Sequence, residues 1–370
     1  MIEGKKSLFP AVCMAILLSS LVLLSSCQPK EEAQKVHADE SYNTLFTRSG
    51  DGLTGADGTY SVLLPDGRTL WIFGDTFLGT VNPDSTRKRT DPMYIRNAFV
   101  VQDGMELTTL YNGDPAEFNS IMIPPEVVNS GGAFGEDSLW YWPGDAFVDD
   151  QTLNVFVSKF SQDGDGMWDF GWKGAAVVRF SLPDFKQTEI IEIPAEKLDG
   201  IHFGHAVFED SLHTYIYGLR DGKPYAARFT GREAEAEWEY FSDGQWVPDV
   251  TLATPVLDTD GSEQFSVIEL EGVYYLITQR GGFSNEVWAY HASQPYGWSS
   301  NDGKRLFTIE IPFDNTNLFT YNALAHPQFI NDRGEILISY NMNSHRLQDH
   351  FENAHIYKPR FMRVPTHQLK

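Results

Sequence analysis

The sequence predicts an all-β fold: a five-bladed β-propeller of four-stranded blades, closed by an N-terminal strand. Three observations carry that expectation. From Ser41 onward, short apolar runs rich in Tyr, Phe, Val and Ile alternate with Asp-Gly, Pro and Asn turns, with little helical periodicity. One hairpin pattern, YSVLLPDGRTLWIFGD from Tyr60, returns as DAFVDDQTLNVFVSKF from Asp145, HAVFEDSLHTYIYGLR from His205, FSVIELEGVYYLITQR from Phe265 and HPQFINDRGEILISYN from His326. Each copy is followed by a third apolar run (NAFVVQ, AAVVRFSL, YAARFTG, EVWAYHA, YKPRFMRV), and all but the last by another (ELTTLY, TEIIEI, EWEYF, LFTIEI). Four-stranded units repeated in this way are the pattern of radial sheets that bury both faces against their neighbours.

Taken from the N-terminus, Lys5 and Lys6 precede an apolar segment from Leu8 to Leu24, and Leu24-Ser25-Ser26-Cys27 follows as a bacterial lipoprotein signal. Pro10 and Ser19-Ser20 interrupt the segment and argue against a spanning helix. Cys27 becomes the lipidated first residue, and Gln28 gives no sign of inner-membrane retention. The expected location is the bacterial cell envelope, anchored to the outer membrane by lipid alone. Residues 1–26 are read as signal peptide, 27–40 as a flexible tether and 41–370 as the propeller domain. Cys13 falls within the signal, so the mature chain has no internal disulfide, cysteine nucleophile or thiolate metal site. A formal net charge of -23 excludes nucleic acid as a partner and suits a neutral ligand. The chain is expected to be monomeric.

The first hairpin carries an aspartate at each outer end: Asp57 before Tyr60–Leu64 and Asp75 after Leu70–Phe73, with the turn at Asp66-Gly67. An antiparallel pair returns its free ends to one side, so the two carboxylates share a rim and suggest acid/base chemistry. Asp145, His205, Gln264 and His326 recur at spacings of 60, 59 and 62 residues, while Asp57 to Asp145 spans 88. The first unit therefore holds the insertions, Thr80–Arg96 and Asn112–Trp140, which crowd the rim that bears the aspartates. In the last unit the chain ends soon after Val364, and NTLFTR at Asn43–Arg48 is the candidate closing strand, set beside the strand near Phe361.

The phrase GADGTYSVLLPDGRTLWIFGDTF, Gly55–Phe77, resembles the opening blade of bacterial five-bladed propellers that include endo-D-arabinanase-type glycoside hydrolases. That resemblance implies that Asp57 and Asp75 are the catalytic pair, acting with inversion; it does not establish the sugar, of which an arabinan-like furanoside is favoured. The chain departs from the arabinanase and xylosidase group of five-bladed glycosidases. There, inner-strand carboxylates of the first three blades act as base, modulator and acid, whereas here Asp57 and Asp145 are followed by His205. The missing acid is then Asp75 or Glu263, and Asp57 as base with Asp75 as acid is the preferred assignment.

Asp145, His205, Glu263, Arg280, His326, Trp168 and Trp172 are candidate substrate-binding residues. The two tryptophans lie in SQDGDGMWDFGWKG and can stack on a sugar ring, with Phe170 and Trp142 extending the surface; packing between blades is the competing use. Asp57-Gly58 and Asp75-Thr76 also fit turn and capping roles. His205 and His326, read as sharing one repeat position, point into the central channel, as ligands of a cation or as satisfied core histidines. No cofactor and no metal set is assigned, and a central cation such as calcium is left open, Asp163, Asp165 and Asp169 matching a calcium loop only in part. Arg87, Lys88 and Arg89 read as a solvated face or a contact for an acidic substrate. The partner is a polysaccharide or oligosaccharide, hydrolysed or, alternatively, bound without catalysis by a surface glycan-binding lipoprotein.

Overall fold

The computed structural model describes residues 35–88, 94–113, 119–130 and 135–370. Cys27, the signal segment, most of the tether and Arg89 lie outside the described residues. No helix among those described is long and apolar enough to cross a membrane.

Five hairpins form, each opening a separate antiparallel sheet, but the fifth begins with Leu318–His326, ahead of the expected start at His326, and Pro327–Phe329 is a 3₁₀ turn. The first sheet holds Tyr60–Leu63, Thr69–Phe73, Ala98–Asp103 and Glu106–Leu110 in that order. The second holds Leu139–Asp149, Thr152–Gln162, Phe170–Ser181 and Lys186–Glu192; the third begins with His202–Glu209 and His213–Arg220 and has a fifth strand, Gln245–Val247. The fourth runs from Ser266–Leu270 to Gly303–Thr308, and the fifth holds Leu318–His326, Glu335–Ser344 and Arg360–Pro365. A small sixth sheet, which the repeat pattern does not anticipate, joins Gly55–Ala56, Thr76–Phe77 and Tyr94–Ile95.

Burial explains why the strands read as almost continuous apolar runs: the cores lie between sheets. Ile72 and Phe99 of the first sheet pack with Val155, Val178 and Phe180 of the second. Phe147, Phe156 and Val177 of the second pack with Phe203, Ile216 and Phe229 of the third. Tyr217 and Leu276 belong to a cluster between third and fourth sheets, and Ile277, Ala289, Ile336 and Val364 to one between fourth and fifth. Trp71, Phe73 and Val100 then meet Leu337 and Phe361, which couples the fifth sheet to the first. Each large apolar side chain buried in this way contributes about 1.5–3 kcal/mol relative to exposure.

The N-terminal segment departs from expectation. Asn43–Arg48 supplies no strand: Glu40–Leu45 is a helix capped by Asp39, whose side chain accepts from the Tyr42 amide at 3.0 Å. The strand beside Arg360–Pro365 is instead His37–Ala38, paired with Arg363 and Met362. His37–Ala38 and the Asp39 cap are thus part of the fold, ahead of the boundary at 41. The cause is local. Asp39 followed by Glu40 is a helix start, and Tyr42 and Phe46, four apart on one helical face, fill the aromatic cluster around Trp71 and Phe361. Asn43 still completes the ladder with its side chain. Its Nδ2 donates to Phe361 O and its Oδ1 accepts from Phe361 N, both at 3.0 Å.

Asn43→Ala should lower unfolding stability by about 1–3 kcal/mol, because it strands the Phe361 amide, whereas the Phe361 carbonyl keeps the Asp39 amide as donor. Thr47→Ala, on the same segment but exposed, should stay within about 0.5 kcal/mol. Denaturant titration of both variants reads the difference, and equal effects would discount the Asn43 bridge.

Candidate functional site

The sixth sheet brings the two aspartates together. Gly55 pairs with Phe77 and Ala56 with Thr76, so the ribbon runs straight into Asp57 and Asp75. There the Asp57 amide reaches Asp75 O at 3.4 Å and the Gly74 amide donates to Asp57 O at 2.9 Å. Gly74 is required by close approach: a Cβ there would lie 2.7 Å from Asp57 Oδ1. Both aspartates line a cavity of about 590 Å³ together with Trp142, Phe160, Trp168, Phe170, His205, Glu263, Phe319 and Tyr321.

Tyrosine, tryptophan and arginine side chains hold the two carboxylates. Tyr321 donates to Asp57 Oδ2 at 2.5 Å and is itself positioned by Asn343 Nδ2 at 3.1 Å. Tyr357 hydrogen-bonds the same carboxylate. Asp75 accepts from the Tyr94 hydroxyl, from Trp142 Nε1 at 2.9 Å and from Arg96 Nη1 at 3.4 Å. Arg96 is fixed in turn by stacking over Trp140, 4.1 Å from the ring centre. Burial, with the Asp75 charge alongside, raises the Asp57 carboxyl to about 7 despite the tyrosine hydrogen bonds. Burial likewise pushes Tyr321 and Tyr357 well up, which keeps them as hydroxyl donors.

Aromatic side chains make much of the cavity wall. Trp142 packs against Phe160 and Phe170 at 4.7 and 4.9 Å, and Phe283 against Phe319 at 4.7 Å. Trp168, 47% exposed, offers a face to solvent, as does Phe283 at 67%.

The remaining sequence-nominated residues divide by position. His205 and Glu263 lie in the same cavity, where Glu263 Oε1 is 2.8 Å from His202 Nδ1 and 3.1 Å from His205 Nε2. Burial pushes the Glu263 carboxyl up, but the two histidines outweigh it and hold the group below the usual carboxylate range. Trp172 stacks on His202 at 4.3 Å, and Arg280 lies over Trp288 at 4.7 Å. Asp145 and His326 line a different cavity of about 470 Å³, formed by the first strands of all five large sheets. Asp145 accepts from the Ala146 and Val207 amides at 2.9 and 2.8 Å, which ties second sheet to third, and burial raises it to about 7. His326 spends Nδ1 on Ser61 at 2.6 Å and Nε2 on Ser339 at 2.8 Å, and burial pushes it down to about 3.

His205 and His326 do not share a position. His205 precedes the Ala206–Tyr217 pair at the rim, whereas His326 pairs with Leu337 farther down its strand. Both sheets slip at the same place, and the residue of the fifth that matches His205 is Ala323, three residues before His326. Arg87 is not on a solvated face: it is 5% exposed, donates to Thr54 Oγ1 and O, and stacks on Phe77, bracing the ribbon beneath Asp75. In the loop after Ser161, Asp163 is paired with Lys173 and Asp169 accepts from the Gly166 amide.

Sequence reasoning missed Tyr94, Arg96, His202, Tyr321, Asn343 and Tyr357. Tyr94 and Arg96 were discoverable in part, since they lie in the first insertion, whose length marked the rim. Nothing local distinguishes Tyr321, Asn343 and Tyr357, which reach Asp57 from the far end of the chain.

Fold and site together define an all-β protein with a carboxylate pair in an aromatic cavity. The chain belongs to the family described as "Domain of unknown function (DUF5005)", whose model matches residues 39–367. Among solved structures it is similar to a "putative hydrolase" from Bacteroides ovatus, at 24% identity over 91% of this chain and 93% of that one, with a TM-score of 0.76. It is similar more distantly to an α-L-arabinanase mutant from Cellvibrio cellulosa, at 11% identity over 84% and 91% with a TM-score of 0.44. A GH43_1 enzyme from Xanthomonas citri aligns at 14% identity over 87% and 93%, with a TM-score of 0.46. No curated protein matches the chain.

The raised Asp57 carboxyl has a consequence for stability. A carboxyl whose pKa rises on folding binds its proton more tightly in the native state, so native stability falls as pH climbs from the unfolded value near 4 toward about 7. Asp57→Asn abolishes that loss. Its melting temperature should gain on wild type as pH rises from 4 to 7 and the gain should level off above; a pH-independent difference would show that Asp57 ionises normally.

Proposed function

We propose that the five large sheets are the blades of a five-bladed propeller and that the protein hydrolyses glycosidic bonds in a polysaccharide, with an arabinan-like furanoside the favoured substrate. One observation carries this reading. Asp57 and Asp75 stand side by side in an open aromatic-lined cavity, held by side chains that leave their chemistry intact.

The environments differ in the way an acid and a base require. Asp57 is buried with tyrosine hydroxyls around it and a raised pKa, so it retains a proton near neutrality and serves as general acid. Asp75 has the Arg96 guanidinium and the Trp142 indole as donors to its Oδ1, a cationic partner that Asp57 lacks, and takes the role of general base in this reading. This reverses the assignment preferred from sequence. In the inverting course, Asp75 takes a proton from a water whose oxygen attacks the anomeric carbon. The glycosidic C–O bond breaks, and Asp57 protonates the departing oxygen. Trp168 and Phe283 provide apolar faces for neighbouring sugar rings. The reading also includes a monomeric chain held to the outer membrane through lipid on Cys27.

A polysaccharide panel followed by variants tests the chemistry. Asp57→Asn and Asp75→Asn should each cut kcat by about 10²- to 10⁴-fold. Asp57→Asn should recover most of its rate on an aryl glycoside whose leaving group needs no proton, Asp75→Asn should not, and the wild-type kcat/KM should decline above about pH 7. Proton NMR of the first-formed anomer reads the stereochemistry, and a retained anomer would replace the inverting course with a covalent intermediate on Asp75. Oligosaccharide binding with no turnover on any glycan would make the protein a binding module.

Cys27→Ala should move the protein from the membrane fraction to the soluble one. Unchanged fractionation would remove the lipid anchor from the reading.

A further inference from the structure

His202, His205 and Glu263 converge on one point of the cavity wall, and their ligand atoms all lie within 4.8 Å of one another. The convergence is produced by a distortion of the backbone. Residues three apart on a regular strand point to opposite faces. Here the ladder slips between Phe203–Gly218 and Ala206–Tyr217, extruding Gly204 and His205. Gly204 adopts φ +109, and a Cβ on it would sit 2.6 Å from the Phe156 side chain. The slip breaks the alternation and lets His205 reach the same Glu263 oxygen as His202. Bulges that re-aim a side chain in this manner concentrate next to functional sites.

Hydrogen bonding alone leaves this cluster poorly served. His205 has a side chain only 7% exposed, and neither of its ring nitrogens makes an aligned hydrogen bond. A buried polar group left in that state is costly, and a bound ion is one remedy. His202 is locked by its stack on Trp172, while the Glu263 carboxylate stays 48% exposed to the cavity. The separations of 2.8 and 3.1 Å approach the roughly 3.4 Å between ligands around a tetrahedral ion with bonds of about 2.1 Å.

We propose that His202 Nδ1, His205 Nε2 and one oxygen of Glu263 bind a divalent first-row transition ion of the Zn²⁺ class. Two imidazoles and one carboxylate suit that class, whereas Ca²⁺ and Mg²⁺ take oxygen donors. Three protein ligands leave a coordination position open, and it faces the cavity that holds Asp57 and Asp75. That position takes water or, on the glycosidase reading, a hydroxyl oxygen of the sugar. The metal site itself stands independently of that reading.

The test uses tag-free full-length protein, stripped with chelator and titrated calorimetrically with ZnCl₂ and with CaCl₂. One Zn²⁺ should bind per chain and Ca²⁺ should not compete. Co²⁺ substitution should give the visible bands of a four- or five-coordinate nitrogen and oxygen site. His205→Ala and the isosteric Glu263→Gln should each weaken Zn²⁺ binding by about 100-fold or more, with circular dichroism confirming the fold. Absence of stoichiometric Zn²⁺ binding by wild type overturns the proposal, as does unchanged affinity in folded Glu263→Gln. Because these readouts need no substrate, they separate failure of the metal site from failure of the glycosidase reading.

Discussion

The constraint on which this structure turns is the burial of Asp57 beside Asp75. Two carboxylates cannot be removed from water side by side without compensation, since each loses hydration and repels the other. The chain meets that cost unequally. Asp75 has a guanidinium, an indole and a phenol, whereas Asp57 has phenols alone and gives way by holding its proton. The asymmetry gives two identical side chains different surroundings.

The partners come from well-separated parts of the sequence. Tyr94 and Arg96 belong to the insertion after the second strand, Trp142 to the second sheet, and Tyr321 and Tyr357 to the fifth sheet and its last loop. A chain in which sheets pack in sequence, the fifth against the first, brings the two ends of the polypeptide to one rim. Register slips recur at that rim, at Pro143–Ala146, Phe203–Ala206 and Tyr321–Leu324. In the first two, a residue freed from the ladder carries the polar group, Asp145 onto main-chain amides and His205 toward Glu263; in the third, Tyr321, the last residue paired before the slip, reaches Asp57. One backbone device thus serves fastening in one sheet and site construction in two others.

Stability and function share residues here. Arg87 and Phe77 brace the ribbon that carries Asp75, and Gly74 leaves the space that the Asp57 carboxylate fills. The ribbon resists change because it is packed from below and crowded from above. That rigidity suits a site whose chemistry depends on two carboxylates keeping their positions.

The sequence by itself determined the strands and the pair. Each hairpin could be read because a sheet buried on both faces demands apolar residues along its length and turn residues at its ends, and both leave local traces. Asp57 and Asp75 were legible for the same reason, since a hairpin returns its ends to one side whatever surrounds it. The tertiary structure decided the rest. Asn43–Arg48 has the composition of a strand, but Asp39 caps a helix there and Asn43 pairs through its side chain. His205 and His326 look equivalent by spacing, but the ladder register matches His205 with Ala323, three residues before His326. The surroundings of the two aspartates are set by Arg96, Tyr321 and Tyr357, whose proximity exists only in three dimensions. Pattern in a sequence reports what each residue buries along its own strand, whereas charge, proton affinity and ligation depend on neighbours that only packing supplies.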